Sequence, residues 1–463
     1  MESVRGISRC LVPVIILIFL ILCSCHKNST GDNAAAEEAL TAQLVSPSIN
    51  SIAMQGQAVT FTGSAINGSE PYQYSWSLDG EHIYATGNPL ILPFDMPGTY
   101  KVTLVVKDAL NATASLTAMV QVINAERMES SFMCAGTNHT LAIVSGAALW
   151  AWGYNFYGEL GDGEWTDQHL PVKTLSDTEF TSVSASDYSS IALDPGGNIW
   201  AWGYAPFPNY HIWNKKNVPV IIASDGDWRS ISAGSGNYLL AIKYNNTLWM
   251  MDLSTADMVK MNEEMDWQMV SNGPSHVCAV KTDGTLYTWG NNDYGQLGIG
   301  FKDGTGNPQK VDLNNACLGV SSGGRHTVAL LSDGTIWAWG DNTYGQLGNE
   351  TNSTSWDPIQ VGKDSDWIAV AAGSYHTLAL KSNGTLWAWG DNAYGQLGDG
   401  TFQSSNKPVQ VKSDITWVAF NSRYDHVIAL KSDGTYWTWG ENGTGQVGNG
   451  SVENAGIPVM VHF

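Results

Sequence analysis

Gly373-Ser-Tyr-His376-Thr-Leu-Ala-Leu-Lys-Ser-Asn-Gly384-Thr-Leu-Trp-Ala-Trp389-Gly-Asp-Asn-Ala-Tyr-Gly395-Gln-Leu-Gly398 decides the architecture of this chain. His376 to Lys381 is a short apolar run that suits a strand. Ser382-Asn-Gly-Thr385 reads as a tight hairpin, because Asn-Gly accepts the positive φ angles such turns need. The returning run, Leu386 to Trp389, alternates its side chains so that Trp387 and Trp389 share one face. Trp367 to Ala372, ended by Gly373, supplies a strand before this pair, and Pro408-Val-Gln-Val411 supplies one after it. The unit therefore holds four short strands and no helix.

The unit recurs. Its Trp-Gly ends are Leu149-Trp-Ala-Trp-Gly153, Ile199-Trp-Ala-Trp-Gly203, Leu248-Trp-Met-Met-Asp252, Leu286-Tyr-Thr-Trp-Gly290, Ile336-Trp-Ala-Trp-Gly340, Leu386-Trp-Ala-Trp-Gly390 and Tyr436-Trp-Thr-Trp-Gly440, stepping by 50, 49, 38, 50, 50 and 50 residues. A lone four-stranded sheet leaves both faces wet, so each unit must bury its bulky face against the next, and a closed ring leaves no open end. Seven such units predict an all-β chain with a seven-bladed β-propeller over 126–463. Pro458-Val-Met-Val-His-Phe463 has no following unit to join. It is expected to pair with the first unit near Phe132 to Ala135 and close the ring.

Gly373-Ser-Tyr-His376-Thr-Leu-Ala-Leu380 and Trp389-Gly-Asp-Asn392-Ala-Tyr-Gly395-Gln-Leu-Gly398 resemble the repeat of the regulator of chromosome condensation family. The resemblance runs from about residue 130 to 463, is densest in units one and four to seven, and thins in units two and three. It implies the propeller fold. Founding members exchange nucleotide on a nuclear GTPase and bind chromatin; those roles are not expected here, because the chain is acidic and carries an export signal. Function has to be argued from sites.

Before the propeller, residues 44–124 alternate apolar and polar positions in Ala58-Val-Thr-Phe-Thr62, Tyr72-Gln-Tyr-Ser-Trp76 and Tyr100-Lys-Val-Thr-Leu-Val-Val106. A small β-sandwich is expected there. Pro71-Tyr-Gln-Tyr-Ser-Trp76 and Pro97-Gly-Thr-Tyr-Lys-Val-Thr-Leu-Val-Val-Lys-Asp108 resemble the PKD domain of the immunoglobulin-like class. On that resemblance Trp76 plugs the core and the domain serves as a spacer.

The first residues read as an export signal. Arg5 and Arg9 precede the apolar run Leu11 to Leu22, too short to span a bilayer comfortably. Leu22-Cys-Ser-Cys25 resembles a bacterial lipobox, so 1–24 is expected to be removed as a signal peptide and Cys25 to be lipidated. Residues 25–43 then form a tether with little to bury. The expected location is extracytoplasmic, with the chain held to a bacterial membrane by lipid.

A net charge of −21 excludes a nucleic-acid surface. Beyond Cys25, the mature chain has Cys134, Cys278 and Cys317, an odd set expected to be buried and inert. His139, His276, His326, His376 and His426 recur at one position of the repeat, with Ser189 and Tyr238 in units two and three. A metal ring or a row of bases is the tempting reading. No carboxylate or cysteine recurs beside them at ligand spacing, so each imidazole is expected to be structural, satisfying the backbone of its own Gly-x-x-His turn. The Gly-Gln-Leu-Gly loops lack the lysine and helix of a phosphate cradle and read as turns over the outer strand. No metal, no cofactor and no catalytic residue are assigned.

Binding is sought where the repeat breaks its rule. Unit two replaces the Gly-Gln-Leu-Gly loop with Tyr204-Ala-Pro-Phe207-Pro-Asn-Tyr210-His-Ile-Trp213, an aromatic stretch that suits an anchor patch on a protein or glycan partner; unit three drops the loop. Three functions remain. The chain is read first as a monomeric, membrane-anchored binding or scaffold protein and not an enzyme. Second comes a secreted enzyme inhibitor, similar to propeller proteins that inhibit β-lactamase. Third is a hydrolase or lyase working in the propeller channel.

Overall fold

The computed structural model describes residues 40–46, 50–54, 58–78, 81–93, 98–123, 132–144, 148–176, 178–205, 214–234, 238–252, 257–262, 264–413 and 416–463. Every regular element among them is a β-strand. The chain divides into two compact units, with the boundary between Ala125 and Glu126.

In the first unit, Thr41–Ser46, Ala58–Ile66 and Leu90–Pro93 form one sheet. A second sheet runs in the order Asn50–Met54, Thr113–Ile123, Gly98–Lys107, Gln73–Leu78 and Glu81–Thr86, with its first pair parallel. Trp76 is buried between the sheets, its ring centroid 6.1 Å from that of Phe61. Its Nε1–H donates to the Gly87 carbonyl at 2.9 Å, which satisfies the one polar atom of the plug. The sandwich opens at Thr41, inside the expected tether. Thr41, Ala42 and Gln43 pair with Ile66, Ala65 and Ser64 and bury Ala42. One small buried side chain in three residues is too weak a pattern to mark a strand.

The second unit contains seven four-stranded antiparallel sheets, each built from consecutive strands. Blade six is representative: Trp367–Ala372, His376–Lys381, Leu386–Gly390 and Ser405–Gln410, in that spatial order. The first strand of every blade neighbours the first strands of the blades on either side, and Trp417–Arg423 of blade seven neighbours Met133–Ala135 of blade one, so the ring is closed. Hydrophobic clusters straddle the blades: Val328, Leu330, Ile336, Ala338 and Leu347 of blade five pack with Trp367, Ala379 and Trp389 of blade six. Each Trp-Gly tryptophan is thus a wedge against the preceding blade, which is why a single blade would not hold its shape.

Closure differs from the expectation. Ala455–Met460 is the outer strand of blade seven, paired with Tyr436–Gly440, and does not pair with Phe132 to Ala135. Because the first strand of a blade is also the first in sequence, no strand is left over to exchange. Side chains close the ring instead. Asn421 Oδ1 accepts the Ala135 N–H at 2.9 Å, the Tyr436 hydroxyl donates to the Ile143 carbonyl at 2.9 Å, and Phe463 lies edge-on to Trp150, Trp152 and Tyr436 with centroids 5.3–5.9 Å apart.

Antiparallel order puts the first-to-second-strand turns and the third-to-fourth-strand loops at one end of the blades, the loop face. The Asp-Gly and Asn-Gly hairpins lie at the other. At that hairpin face Lys243, Lys281 and Lys381 each sit over two aromatic rings and pair with two carboxylates, as Lys381 does with Asp364 at 2.6 Å and Asp366 at 3.0 Å.

Candidate functional site

On the loop face, blade five shows how the repeat builds its surface. Gln346 Oε1 accepts the Tyr344 N–H at 3.0 Å and Nε2 donates to Asp341 Oδ2 at 3.2 Å, while Asn342 Oδ1 accepts the Leu347 N–H at 2.9 Å. These bonds rigidify the loop and leave the Gln346 main-chain carbonyl for the next blade. It accepts Thr377 Oγ1–H at 2.8 Å and Trp389 Nε1–H at 2.9 Å. With its proton committed there, Thr377 Oγ1 accepts from His326 Nε2 at 2.9 Å, which fixes the Nε2–H tautomer. Gly348 (φ +67°) completes the fit: a Cβ there would lie 2.6 Å from Trp389 Nε1.

The same latch joins blades four and five through His276, Thr327, the Gln296 carbonyl and Trp339. It joins blades seven and one through His426, Thr140, the Gln446 carbonyl and Trp152. Blades one and two use His139, Ser190, the Glu159 carbonyl and Trp202. Between blades six and seven Val427 takes the threonine's place, and His376 Nε2 meets Ser422 Oγ at 2.8 Å instead. The five histidines therefore serve the neighbouring blade's hydroxyl and not the backbone of their own turn. Burial pushes all five imidazoles down to about 3. No group of three or more His, Cys, Asp or Glu able to hold a metal occurs among the described residues. Cys134, Cys278 and Cys317 are buried free thiols, and burial pushes Cys278 up to about 11.

A pocket of about 420 Å³ opens on the loop face where blades four to seven meet. Ser275 and the Gly324-Arg325 and Ser374-Tyr375 turns contribute from the first-to-second-strand connections; Asn291, Asp293, Tyr294 and Gln296 come from the long loop of blade four, and Tyr424 from blade seven. The Arg325 guanidinium lies 4.5 Å from the Tyr294 ring centroid and 6.0 Å from that of Tyr375, and its Nη1 donates to the Tyr294 hydroxyl at 2.9 Å. The volume is typical of a small-ligand site, and the lining mixes flat rings with convergent polar groups.

Residues 254–463 match the RCC1-like domain family, residues 147–193 the regulator of chromosome condensation (RCC1) repeat, and residues 43–122 the PKD domain. The chain thus carries RCC1-type repeats in its propeller and a PKD domain before it. Its propeller resembles the structure of human WBSCR16, with a TM-score of 0.62 and 19% identity over 68% of this chain and 95% of that one. The ultraviolet-B receptor UVR8 of Arabidopsis thaliana is 28% identical over 179 residues, covering 38% of this chain and 33% of the receptor. The human E3 ubiquitin-protein ligase HERC2 is 25% identical over 195 residues, 42% of this chain and 3% of the ligase. The chain thus matches a third of the receptor's length and far less of the ligase's.

In this propeller of RCC1-type repeats, only part of the stretch first chosen for binding is described. Phe207, Tyr210 and Trp213, like Cys25, lie outside the described residues. Tyr204 is described: its N–H donates to the Tyr188 carbonyl at 2.7 Å and its ring lies 5.0 Å from Tyr157. Tyr157 also touches Tyr188, Tyr154 and Phe156, with Lys215 Nζ 3.9 Å from the Phe156 centroid. Beneath this group is Glu159, a carboxyl where the other long loops place glutamine. Its Oε2 accepts the Tyr157 N–H at 2.9 Å, and burial pushes it up to about 8. Across the same face burial, then Glu441 and Asp391, push Asp425 up to about 7. Sequence reasoning passed over Arg325 and Tyr375, although a signal existed: the turn changes from blade to blade before its constant histidine, the preceding residue being Asn138, Ser275, Arg325, Tyr375 or Asp425.

Proposed function

We propose that the chain is a binding protein, held outside the cytoplasm by lipid on Cys25, that engages its partner with the loop face of the propeller. The pocket around Arg325, Tyr294 and Tyr375 is the observation that carries this reading. Rigid loops surround it, its lining changes from blade to blade, and aromatic and arginine side chains are those that anchor partners. Tyr157, Tyr188 and Tyr204 add a second aromatic area at the same end of the blades. Binding is favoured over catalysis because the best candidate bases, the five histidines, are each buried and bonded to a neighbouring blade. The RCC1-type architecture needs no chemistry to present such a surface.

The test compares proteins and glycans captured by the full chain with those captured by a Tyr294→Ala/Tyr375→Ala variant of equal melting temperature. Loss of the captured set is expected; an unchanged set sinks the reading. Anchoring is checked separately by labelling cells with a fatty-acid analogue. Cys25→Ser should abolish both the label and membrane recovery, and a variant still labelled rejects Cys25 as the lipid site.

A further inference from the structure

Arg325 is not required by the fold. Its equivalents are Asn138, Tyr188, Asn237, Ser275, Tyr375 and Asp425, none of them cationic, and its blade closes on its neighbour through His326 beside it. The exposed guanidinium is nevertheless oriented, stacked on Tyr294 and tied to that ring's hydroxyl through one of its five N–H groups. The ion pairs of Lys243, Lys281 and Lys381 lie away from it, on the hairpin face. In a chain of net charge −21, a pre-oriented cation in a pocket is a receptor for a negative group.

The remainder of the lining narrows the ligand. Asp293, held by Asn291 Nδ2 at 2.8 Å, accepts hydrogen bonds and repels further negative charge. Ser275, Ser374 and Gln296 offer hydroxyl and amide groups, and Tyr294 and Tyr375 offer ring faces. One guanidinium opposite one carboxylate suits a ligand with a single negative charge and many hydroxyls. It does not suit a polyphosphate, which would be drawn to several cations, or an acidic peptide, which has few hydroxyls to match Asp293. We propose that this pocket binds the uronic acid residue of a carboxylated polysaccharide, with Arg325 on the sugar carboxylate and a tyrosine face under the ring. The proposal rests on the loop-face reading above and specifies its ligand.

Calorimetric titration of the full chain with glucuronate, galacturonate and mannuronate oligomers tests it, alongside a neutral oligosaccharide of the same length and an oligoglutamate. Binding of at least one uronate oligomer is expected. Arg325→Gln should weaken it roughly ten- to a hundredfold, the range for loss of a charged hydrogen bond. Arg325→Lys should fall between, because it keeps the charge without the fork, and both variants should melt with the parent. Equal binding of the neutral oligosaccharide, or indifference to Arg325→Gln, overturns the carboxylate assignment. Oligoglutamate binding as tight as the uronates overturns the sugar. Failure of all uronates overturns the inference outright, while the capture comparison with Tyr294→Ala/Tyr375→Ala still decides the loop-face reading by itself.

Discussion

Blades four to six and blades two to three solve the same packing problem by different means. Between four and five, and between five and six, a histidine, a threonine, a carbonyl and a tryptophan interlock across the interface. Between two and three, and three and four, Ser189 and Tyr238 replace the histidine, and Leu239 and Val277 replace the threonine. Met251 stands where a tryptophan would, and the clusters around Trp228 and Trp267 do the packing. Yet the innermost strands keep one device throughout this arc: Ser184 Oγ accepts the Ala233 N–H, Ser232 Oγ the Asn272 N–H, Ser271 Oγ the Ser322 N–H and Ser321 Oγ the Ala372 N–H, at 2.9–3.0 Å. From blade two to blade six the ring is thus specified near its axis at every interface and locked farther out only at some. Repeat decay in the sequence marks loss of the lock, not loss of the blade.

Acid should separate the two kinds of interface most. Each latch histidine is depressed from 6.5 to about 3 in the folded chain, so the unfolded state binds more protons between those values and stability falls as pH drops through that window. Glu159 and Asp425, raised to about 8 and about 7, act in the opposite sense above the unfolded carboxylate range, where stability falls as pH rises. Five groups outweigh two, so a net loss of several kcal/mol is expected on going from pH 6.5 to 4.5. Hydrogen exchange, corrected for its intrinsic pH dependence, should show blades two and three opening first at pH 7 and the latched interfaces gaining on them at pH 5. An unchanged order of opening breaks the comparison.

Next in size, Trp389→Ala should cost about 3–5 kcal/mol in denaturant unfolding, since it removes both wedge and donor. A loss under about 1 kcal/mol shows that the wedge is dispensable. Glu159→Gln, which gives blade one the amide of its sister loops, should raise the melting temperature little at pH 5. The gain should grow until about pH 8, because the buried carboxyl resists ionisation over that range; a gain independent of pH contradicts burial as the cause. A double-mutant cycle on His326→Ala and Thr377→Val should return a coupling of about 0.5–3 kcal/mol, against almost none for Tyr238→Ala and Val277→Ala. Smallest of all, Val427→Thr offers the Gln396 carbonyl the donor it lacks beside Trp439. A gain below about 1.5 kcal/mol is expected, and a loss places the blade-six latch under different constraints.

What the sequence made legible follows from the range of each interaction. Six Trp-Gly ends and the altered Met251-Asp252 end carry blade number and strand count, because hairpin chemistry and side-chain alternation are local. Blade phase is not local. Nothing in Pro458 to Phe463 says whether it completes its own sheet or the first one, and the exchange expected there was wrong. The histidines were read as structural from the absence of ligand spacing, but their partners lie 46 to 51 residues on, or across the closure, beyond any pattern within a turn. Irregularity drew attention to residues 204–213. The pocket around Arg325 lies among the most regular blades, where a constant scaffold makes a single changed residue easy to overlook.

One feature of the closure reaches beyond this molecule. Since no blade borrows a strand from another, the joint between last and first is, like the six others, a packing of whole sheets, and no seam in the circle divides a blade. Such a ring could be re-cut between any two neighbours, or copied one module at a time, without a half-finished sheet at the seam; drift in a single module, as in the third, then remains a local affair.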